Sequence, residues 1–194
     1  MTTDHRARSR GLFGTALLLG ALLLVLAAPR GVGAQSRKFL VQGEEPPDFA
    51  LLDTSGRVVQ LSEFRGRTIL LSFWSCYTDT CFASTAAYTD LIERLGPLGL
   101  AAPTVCQEIP PVLAADGYAG LLKRCSAGQT ILVDQDQRVG TEYFVREFPT
   151  TFLIGPDFAI REIVTGVAPL RDPAFHDRLE GLVRMSPGIG QPQP

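Results

Sequence analysis

One stretch of sequence decides the fold of this protein: Thr68-Ile69-Leu70-Leu71-Ser72-Phe73-Trp74-Ser75-Cys76-Tyr77-Thr78-Asp79-Thr80-Cys81. Its first part, from Thr68 to Phe73, is an almost continuous apolar run of the kind that predicts a buried strand. A helix is predicted to follow from about Cys81 to Leu95, because apolar residues recur there at helical spacing. These residues are Tyr88, Leu91, Ile92 and Leu95. Two cysteines, Cys76 and Cys81, therefore stand where a strand ends and a helix begins.

The position of Cys76 and Cys81 favours chemical reactivity. The first turn of a helix has backbone N–H groups without helical partners and carries the positive end of the helix dipole. Both effects stabilise a thiolate relative to a thiol, and the thiolate is the form that attacks disulfides. We therefore predict a reactive dithiol at this junction.

The rest of the chain alternates strand and helix patterns. A hairpin is predicted from Phe49–Leu52 and Val58–Leu61, with its turn at Thr54-Ser55-Gly56. Further strands are predicted at Leu100–Val105, Thr130–Asp134, Thr151–Ile154 and Ile160–Val164, and helices at Ala114–Arg124, Thr141–Phe144 and from Asp172-Pro173 to Arg184. The strand at Leu100–Val105 is expected to be weak, because Pro103 cannot donate to a central ladder. This order predicts an α/β domain, with a mixed central sheet flanked by helices and an N-terminal hairpin.

The N-terminus is typical of an export signal. His5 and three arginines precede residues 11–28, a run of 18 residues without a charge. Val32-Gly33-Ala34 then supplies small residues at the spacing that signal peptidases cleave. Residues 1–34 are predicted to be a signal peptide, or an anchor in which residues 11–28 span the membrane. Both interpretations place the protein outside the cytoplasm, in the periplasm or an equivalent compartment, where disulfides persist.

The chain that follows the signal is predicted to be one domain. Residues 35–44 form a linker, residues 45–184 the domain, and residues 185–194 a Pro/Gly-rich disordered tail. After residues 1–34 are removed, 160 residues remain with 14 basic and 19 acidic side chains. A mildly acidic body without a basic cluster argues against a nucleic-acid partner.

All four cysteines, Cys76, Cys81, Cys106 and Cys125, lie in the exported part, and the sequence alone permits three pairings. Cys106 and Cys125 lie away from any predicted helix N-terminus, so a structural disulfide between them is the favoured interpretation in an oxidising compartment. A relay that passes oxidation on from the first pair is the alternative.

The pattern resembles the thioredoxin fold and, within it, the exported TlpA/ResA-like and AhpC/TSA-like redoxins. The resemblance covers residues 45–184 and is carried by Pro47-Asp48-Phe49, Phe73-Trp74 and Phe148-Pro149-Thr150-Thr151-Phe152-Leu153-Ile154. It implies a cis peptide bond before Pro149 and a loop beside the dithiol that receives a client chain. The candidate substrate-binding residues are Trp74, Thr78, Pro149 and Thr150. The resemblance implies client protein thiols and a further redox partner, with no cofactor and no metal.

The active-site motif departs from that family. Redoxins of this kind carry Cys-x-x-Cys, whereas this chain has Thr78-Asp79-Thr80-Cys81 at that place, with Cys76 two residues upstream of Thr78. Ser72 stands where thioredoxins bury an acidic residue. Disulfide exchange through Cys76 and Cys81 is the favoured chemistry.

Several alternatives remain open on the sequence. Thr-x-x-Cys is also the peroxiredoxin pattern, with Cys81 as the peroxidatic thiolate, although that pattern would have proline at Trp74 and arginine at Pro149. A Sco-like Cu(I) carrier would use the two cysteines and a distant histidine, for which only His176 is available. Cys76 and Cys81 could also form a structural staple, or the domain could be a redox-inactive binding module.

Overall fold

The structure, a computed structural model, describes residues 39–75, 79–107 and 129–186. A seven-stranded mixed sheet lies at the centre of these residues. The strands are β1 (Ala50–Asp53), β2 (Val58–Gln60), β3 (Ile69–Ser75), β4 (Pro103–Gln107), β5 (Thr130–Val133), β6 (Thr150–Ile154) and β7 (Ile160–Thr165). The helices are α1 (Asp79–Leu95), α2 (Arg138–Glu142) and α3 (Pro173–Met185), and short 3-10 turns lie at Leu61–Phe64, Gly96–Leu98 and Pro169–Arg171.

The strand order is β2-β1-β5-β4-β3-β6-β7, so β3 lies inside the sheet. It pairs in parallel with β4 and antiparallel with β6. Every residue of β3 is buried, which explains why its sequence is mostly apolar, with Ser72 and Ser75 as its two polar residues. The predicted hairpin forms as β1 and β2, with Gly56 in the left-handed region of its turn.

Side chains that alternate along β3 divide the hydrophobic core between the two faces of the sheet. Leu70 and Trp74 face α1 and α3, whereas Phe73 faces the side that α2 and the hairpin cover. The helices contribute these buried residues to the first face: Tyr88, Leu91, Leu95, Phe175, Leu179 and Val183. The stripe predicted on α1 is thereby confirmed, with Ile92 at its partly buried margin.

Strand β4 differs from the prediction. It runs from Pro103 to Gln107 and lies between β5 and β3, so it is a central strand and not a weak one. Pro103 is tolerated because it is the first residue of the strand, where the missing N–H interrupts no ladder with β3, whose pairing begins at Thr104. The added residues Cys106 and Gln107 pair with Trp74 and Ser75, which extends β3 two residues beyond Phe73.

Helix α2 begins and ends earlier than the predicted Thr141–Phe144. The Asp134 carboxylate accepts hydrogen bonds from the backbone N–H groups of Val139 (3.2 Å) and Gly140 (2.9 Å), which fixes the start of the helix. Phe144 has φ 55°, a left-handed conformation that ends it. Helix α3 begins as predicted, with the Asp172 side chain accepting the Ala174 N–H at 3.0 Å.

The predicted helix Ala114–Arg124, the signal segment 1–34 and most of the predicted tail lie outside the described residues. Within residues 39–75, 79–107 and 129–186, no helix is both long enough and apolar enough to cross a membrane.

Candidate functional site

Cys81 is the third residue of α1 and therefore lies in its first turn, as predicted. Its side chain is fully buried, in the cluster that also contains Trp74. The backbone N–H of Ser75, the last residue of β3, donates to the Cys81 Sγ at 3.4 Å. A backbone donor directed at sulfur stabilises negative charge on it, whereas the surrounding apolar side chains oppose that charge.

The loop before β6 lies beside the same end of β3. The Phe148–Pro149 peptide bond is cis, which confirms the expectation drawn from the family resemblance. The antiparallel ladder pairs Phe73 with Thr150, so the next position along brings Pro149 alongside Trp74. Phe148 packs against the cluster of Trp74 and Cys81. The structure therefore brings Cys81 and Pro149 to the same end of the sheet, where β3 ends and β6 begins.

Hydrogen bonds hold this loop in place. The Gly166 N–H donates to the Pro149 carbonyl oxygen at 2.8 Å, and the Thr150 hydroxyl donates to the Glu147 carbonyl oxygen at 2.7 Å. The Pro149 oxygen and the Thr150 hydroxyl are thus already engaged by Gly166 and Glu147. Thr150 consequently has no unused hydroxyl hydrogen to donate to another group.

Trp74 is 1% exposed and packs edge-on against Tyr88, with ring centroids 5.7 Å apart. This burial favours a role for Trp74 in the hydrophobic core over the substrate contact that was predicted for it. Two other predicted site residues, Cys76 and Thr78, lie outside the described residues.

A ring of three hydroxyl groups lies beneath Trp74 and was not anticipated from the sequence. Ser72 Oγ, Tyr88 Oη and Thr151 Oγ1 are each hydrogen-bonded to the other two, at 2.8 Å for Ser72–Thr151 and 2.5 Å for Tyr88–Thr151. All three residues are buried. Burial raises the pKa of Tyr88 to about 12, against the opposing effect of the Ser72 and Thr151 hydrogen bonds. The only sequence signal was the hydroxyl at Ser72, where the resemblance would place an acid.

A buried carboxylate lies on the other face of the sheet. Asp134 accepts the Gln107 side-chain amide at 2.6 Å, in addition to the two backbone N–H groups of α2. Gln107 pairs with Ser75 in the parallel ladder, so this cluster lies next to the end of β3. Three donors hold the carboxylate in place, which indicates a structural role for Asp134.

The second pair of predicted cysteines is only partly described. Cys106 is fully buried, on the same face of the sheet as Trp74 and Cys81. Cys125 lies outside the described residues, so the Cys106–Cys125 disulfide stays a prediction.

His176, the histidine that a copper site would need, lies on α3. Its Nε2 is 2.7 Å from the Leu170 carbonyl oxygen. Across the described ranges, no cluster of three or more His, Cys, Asp or Glu side chains is placed to hold a metal.

Comparisons with known proteins identify the class of enzyme. A model of the AhpC/TSA family matches residues 42–163. The thiol-disulfide oxidoreductase ResA of Bacillus subtilis (strain 168) is 26% identical over 164 residues, covering 80% of this chain and 87% of the relative. The protein of the same name from Geobacillus kaustophilus (strain HTA426) is 29% identical over 163 residues, covering 80% and 90%.

A solved structure gives the same result. The thiol:disulfide interchange protein DsbE from Chlorobium tepidum matches with a TM-score of 0.62 at 25% identity, covering 76% of this chain and 98% of that one. These similarities confirm the predicted thioredoxin-like fold and the predicted class of activity, thiol–disulfide oxidoreduction. Because the family model spans more than half of the sequence, the chain belongs to the AhpC/TSA family.

Proposed function

We propose that this protein exchanges disulfides with client proteins outside the cytoplasm, using Cys76 and Cys81 as its redox pair. The observation that carries the proposal is the position of Cys81. Its side chain is buried in the first turn of α1, and its sulfur accepts a hydrogen bond from the Ser75 N–H. This turn lies at the same end of the sheet as cis-Pro149.

The burial of Cys81 supports different roles for the two sulfurs. Because the Cys81 side chain is fully buried, Cys76 is the thiol that meets a client. The Cys76 thiolate attacks a client disulfide, which forms a mixed disulfide and releases one client thiolate. The Cys81 thiolate then attacks the Cys76 sulfur, which closes the Cys76–Cys81 disulfide and releases the second client thiolate. Two electrons pass from the dithiol to the client, and the reverse sequence oxidises a client dithiol.

The loop of Pro149 and Thr150 is proposed to bind the client chain during this exchange. Hydrogen bonds to Gly166 and Glu147 hold this loop in one shape, so a client chain meets a preformed surface. Thr78 is proposed to contact the same client. Trp74 contributes by packing beneath the site.

Peroxide reduction at Cys81 is the competing chemistry. It would need a cation where this chain has Pro149, to stabilise the departing oxygen of the peroxide. Loss of one such electrostatic contact typically lowers a rate about 100- to 1,000-fold. The buried, apolar neighbours Trp74 and Pro149 therefore support exchange over peroxidase activity.

Single-cysteine variants test this assignment. Cys81→Ser is expected to accumulate mixed disulfides with clients through Cys76, and Cys76→Ser is expected to form none. These adducts are measured by non-reducing electrophoresis and mass spectrometry after acid quenching. Rapid peroxide consumption by Cys76→Ser, with a dimedone-reactive sulfenic acid on Cys81, would instead establish the peroxidase.

A redox titration separates an active dithiol from a structural staple. The Cys76–Cys81 pair is expected to titrate between about −120 and −270 mV, the range of known oxidoreductases. A midpoint below about −300 mV would indicate a structural disulfide in a redox-inactive binding module. Peptide mapping of the same samples without reductant tests the Cys106–Cys125 pairing.

Export is proposed from residues 1–34. N-terminal sequencing of the protein from an envelope fraction is expected to begin at Gln35 after cleavage. An intact N-terminus in the membrane fraction would instead assign residues 11–28 as an anchor.

A further inference from the structure

The hydroxyl ring of Ser72, Tyr88 and Thr151 connects the three elements that build the site. Ser72 is on β3, which leads to Cys76, Tyr88 is on α1 with Cys81, and Thr151 is on β6 behind Pro149. We propose that this ring is a positioning device that holds the Cys81 sulfur in register with Cys76 and the Pro149 loop. The proposal rests on the function proposed above, since it assigns the ring to the step in which Cys81 attacks Cys76.

Each member of the ring is in phase with the site residue of its own element. Ser72 precedes Trp74 by two residues and Thr151 follows Pro149 by two, which is the repeat of a strand. Tyr88 follows Cys81 by seven residues, two turns along the same face of α1. The ring therefore forms the layer directly beneath the site, and a shift of one member displaces the corresponding site residue.

The ring is closed and uncharged. Three hydroxyl groups hold three O–H bonds, so a cyclic arrangement supplies one donor for each of the three contacts. With the pKa of Tyr88 raised to about 12 by burial, the ring stays neutral at the pH at which thiols exchange. It supplies geometry without charge, where the resemblance to thioredoxins would place an ionisable acid at Ser72.

The buried face of α1 carries a second neutral hydroxyl group, that of Ser84. Ser84, one turn after Cys81 and one turn before Tyr88, is fully buried, and its hydroxyl donates to the Cys81 carbonyl oxygen at 2.5 Å. The helix thus carries two neutral hydroxyls below the thiol. One ties the first turn to itself and the other ties the helix to the sheet.

Two tyrosine variants provide a matched test. Tyr88→Phe removes one hydroxyl from the ring and keeps the aromatic contact with Trp74. Tyr143→Phe removes a similarly buried hydroxyl on the opposite face, where it donates to the Pro47 carbonyl oxygen at 2.5 Å. Tyr88→Phe loses two buried hydrogen bonds and Tyr143→Phe loses one, so both variants lose stability. Only Tyr88→Phe disturbs the layer beneath the site.

The reduced proteins are mixed with 5,5′-dithiobis(2-nitrobenzoate) in a stopped-flow instrument. The first thionitrobenzoate is released when Cys76 attacks the reagent, and the second when Cys81 displaces it from Cys76. Signal from the other cysteines is removed by subtracting the trace of Cys76→Ala. Tyr88→Phe is expected to slow the second phase about tenfold and leave the first unchanged, whereas Tyr143→Phe stays within twofold of the parent in both.

The possible outcomes distinguish this proposal from the one on which it rests. Equal second phases in Tyr88→Phe and Tyr143→Phe would overturn the positioning role. A parent protein that releases no second thionitrobenzoate would overturn the exchange function itself. Thr151→Val provides a further variant, in which the same selective slowing is expected and an unchanged second phase would again contradict the proposal.

Discussion

Two buried polar clusters lie on opposite faces of the same sheet and differ in what they connect. The hydroxyl ring on the α1 face joins residues 16, 63 and 79 positions apart in the sequence. The Asp134 cluster on the α2 face joins residues only 5, 6 and 27 positions apart. The ring is neutral and ties distant elements together, whereas the carboxylate organises the connection from β5 to α2.

This difference suggests that the Asp134 cluster mainly affects stability and that the hydroxyl ring mainly affects the kinetics of exchange. Removing a buried carboxylate, or its hydrogen-bond donors, lowers the free energy of unfolding more than removing a neutral hydroxyl does, because the remaining partners stay buried without hydrogen bonds. We therefore expect the largest losses of stability at Asp134. The largest changes in exchange kinetics are expected at the ring, because of the two clusters it is the one on the face of the sheet that carries Cys81.

The strongest test of this contrast is Asp134→Ala. The substitution leaves the Gln107 amide and the N–H groups of Val139 and Gly140 buried without acceptors. We expect the free energy of unfolding to fall by about 3–5 kcal/mol, measured by urea denaturation. Asp177→Ala, at an exposed position on α3, is the control and should change it by less than about 0.5 kcal/mol. Comparable losses in both would show that the carboxylate cluster is not a stability centre.

Glycine substitutions probe the packing of the same cluster. A Cβ added at Gly140 would overlap the Gln107 amide, so Gly140→Ala must displace that side chain from Asp134. We expect a loss of about 1–3 kcal/mol. Gly181→Ala in α3 is the matched control, since a Cβ there meets nothing within 4 Å. It should stabilise the protein by about 0.5–1 kcal/mol, because alanine is the better helix former. A neutral Gly140→Ala would mean that Gln107 has another acceptable position.

Double-mutant cycles test whether the two clusters are independent. Tyr88→Phe and Thr151→Val remove groups in direct contact, so their effects on the free energy of unfolding should couple by about 0.5–1 kcal/mol. Tyr88→Phe and Gly140→Ala affect opposite faces and should add within about 0.5 kcal/mol. Strong coupling between the two faces would contradict their separation by the sheet.

The smallest effect is expected at a surface carboxylate, Asp53 in the hairpin turn. Its pKa is lowered mainly by the hydrogen bond from the Ser55 hydroxyl, with further backbone bonds from Arg57 and Ser55 and opposition from burial. Because the folded-state pKa is depressed, this stabilisation is present above the usual value, near 4, and is lost as the pH falls through the folded-state value. Asp53→Asn should therefore make the loss of stability below about pH 4 less steep. Ser55→Ala should have a partial effect in the same direction, and an unchanged acid limb in both would contradict this origin.

The elements that the sequence predicted well are those in which local pattern and tertiary packing agree. The apolar run of β3, the stripe on α1 and the Asp172-Pro173 start of α3 all formed as expected. Strand β4 was underestimated, because a proline is excluded from a central ladder only in the interior of a strand. Its position in the sheet was needed to show that Pro103 merely opens it.

The sequence by itself determined the class of the fold, the strand–helix junction at Cys81 and the loop of Pro149. These features depend on hydrophobic periodicity and on motifs whose residues are close together in the chain. Only the tertiary structure decided three other features: the ring of Ser72, Tyr88 and Thr151, the hydrogen-bonded carboxylate of Asp134, and the burial of Trp74. Each depends on strand register and on the face to which a helix turns its residues, which bring together side chains that no local pattern relates.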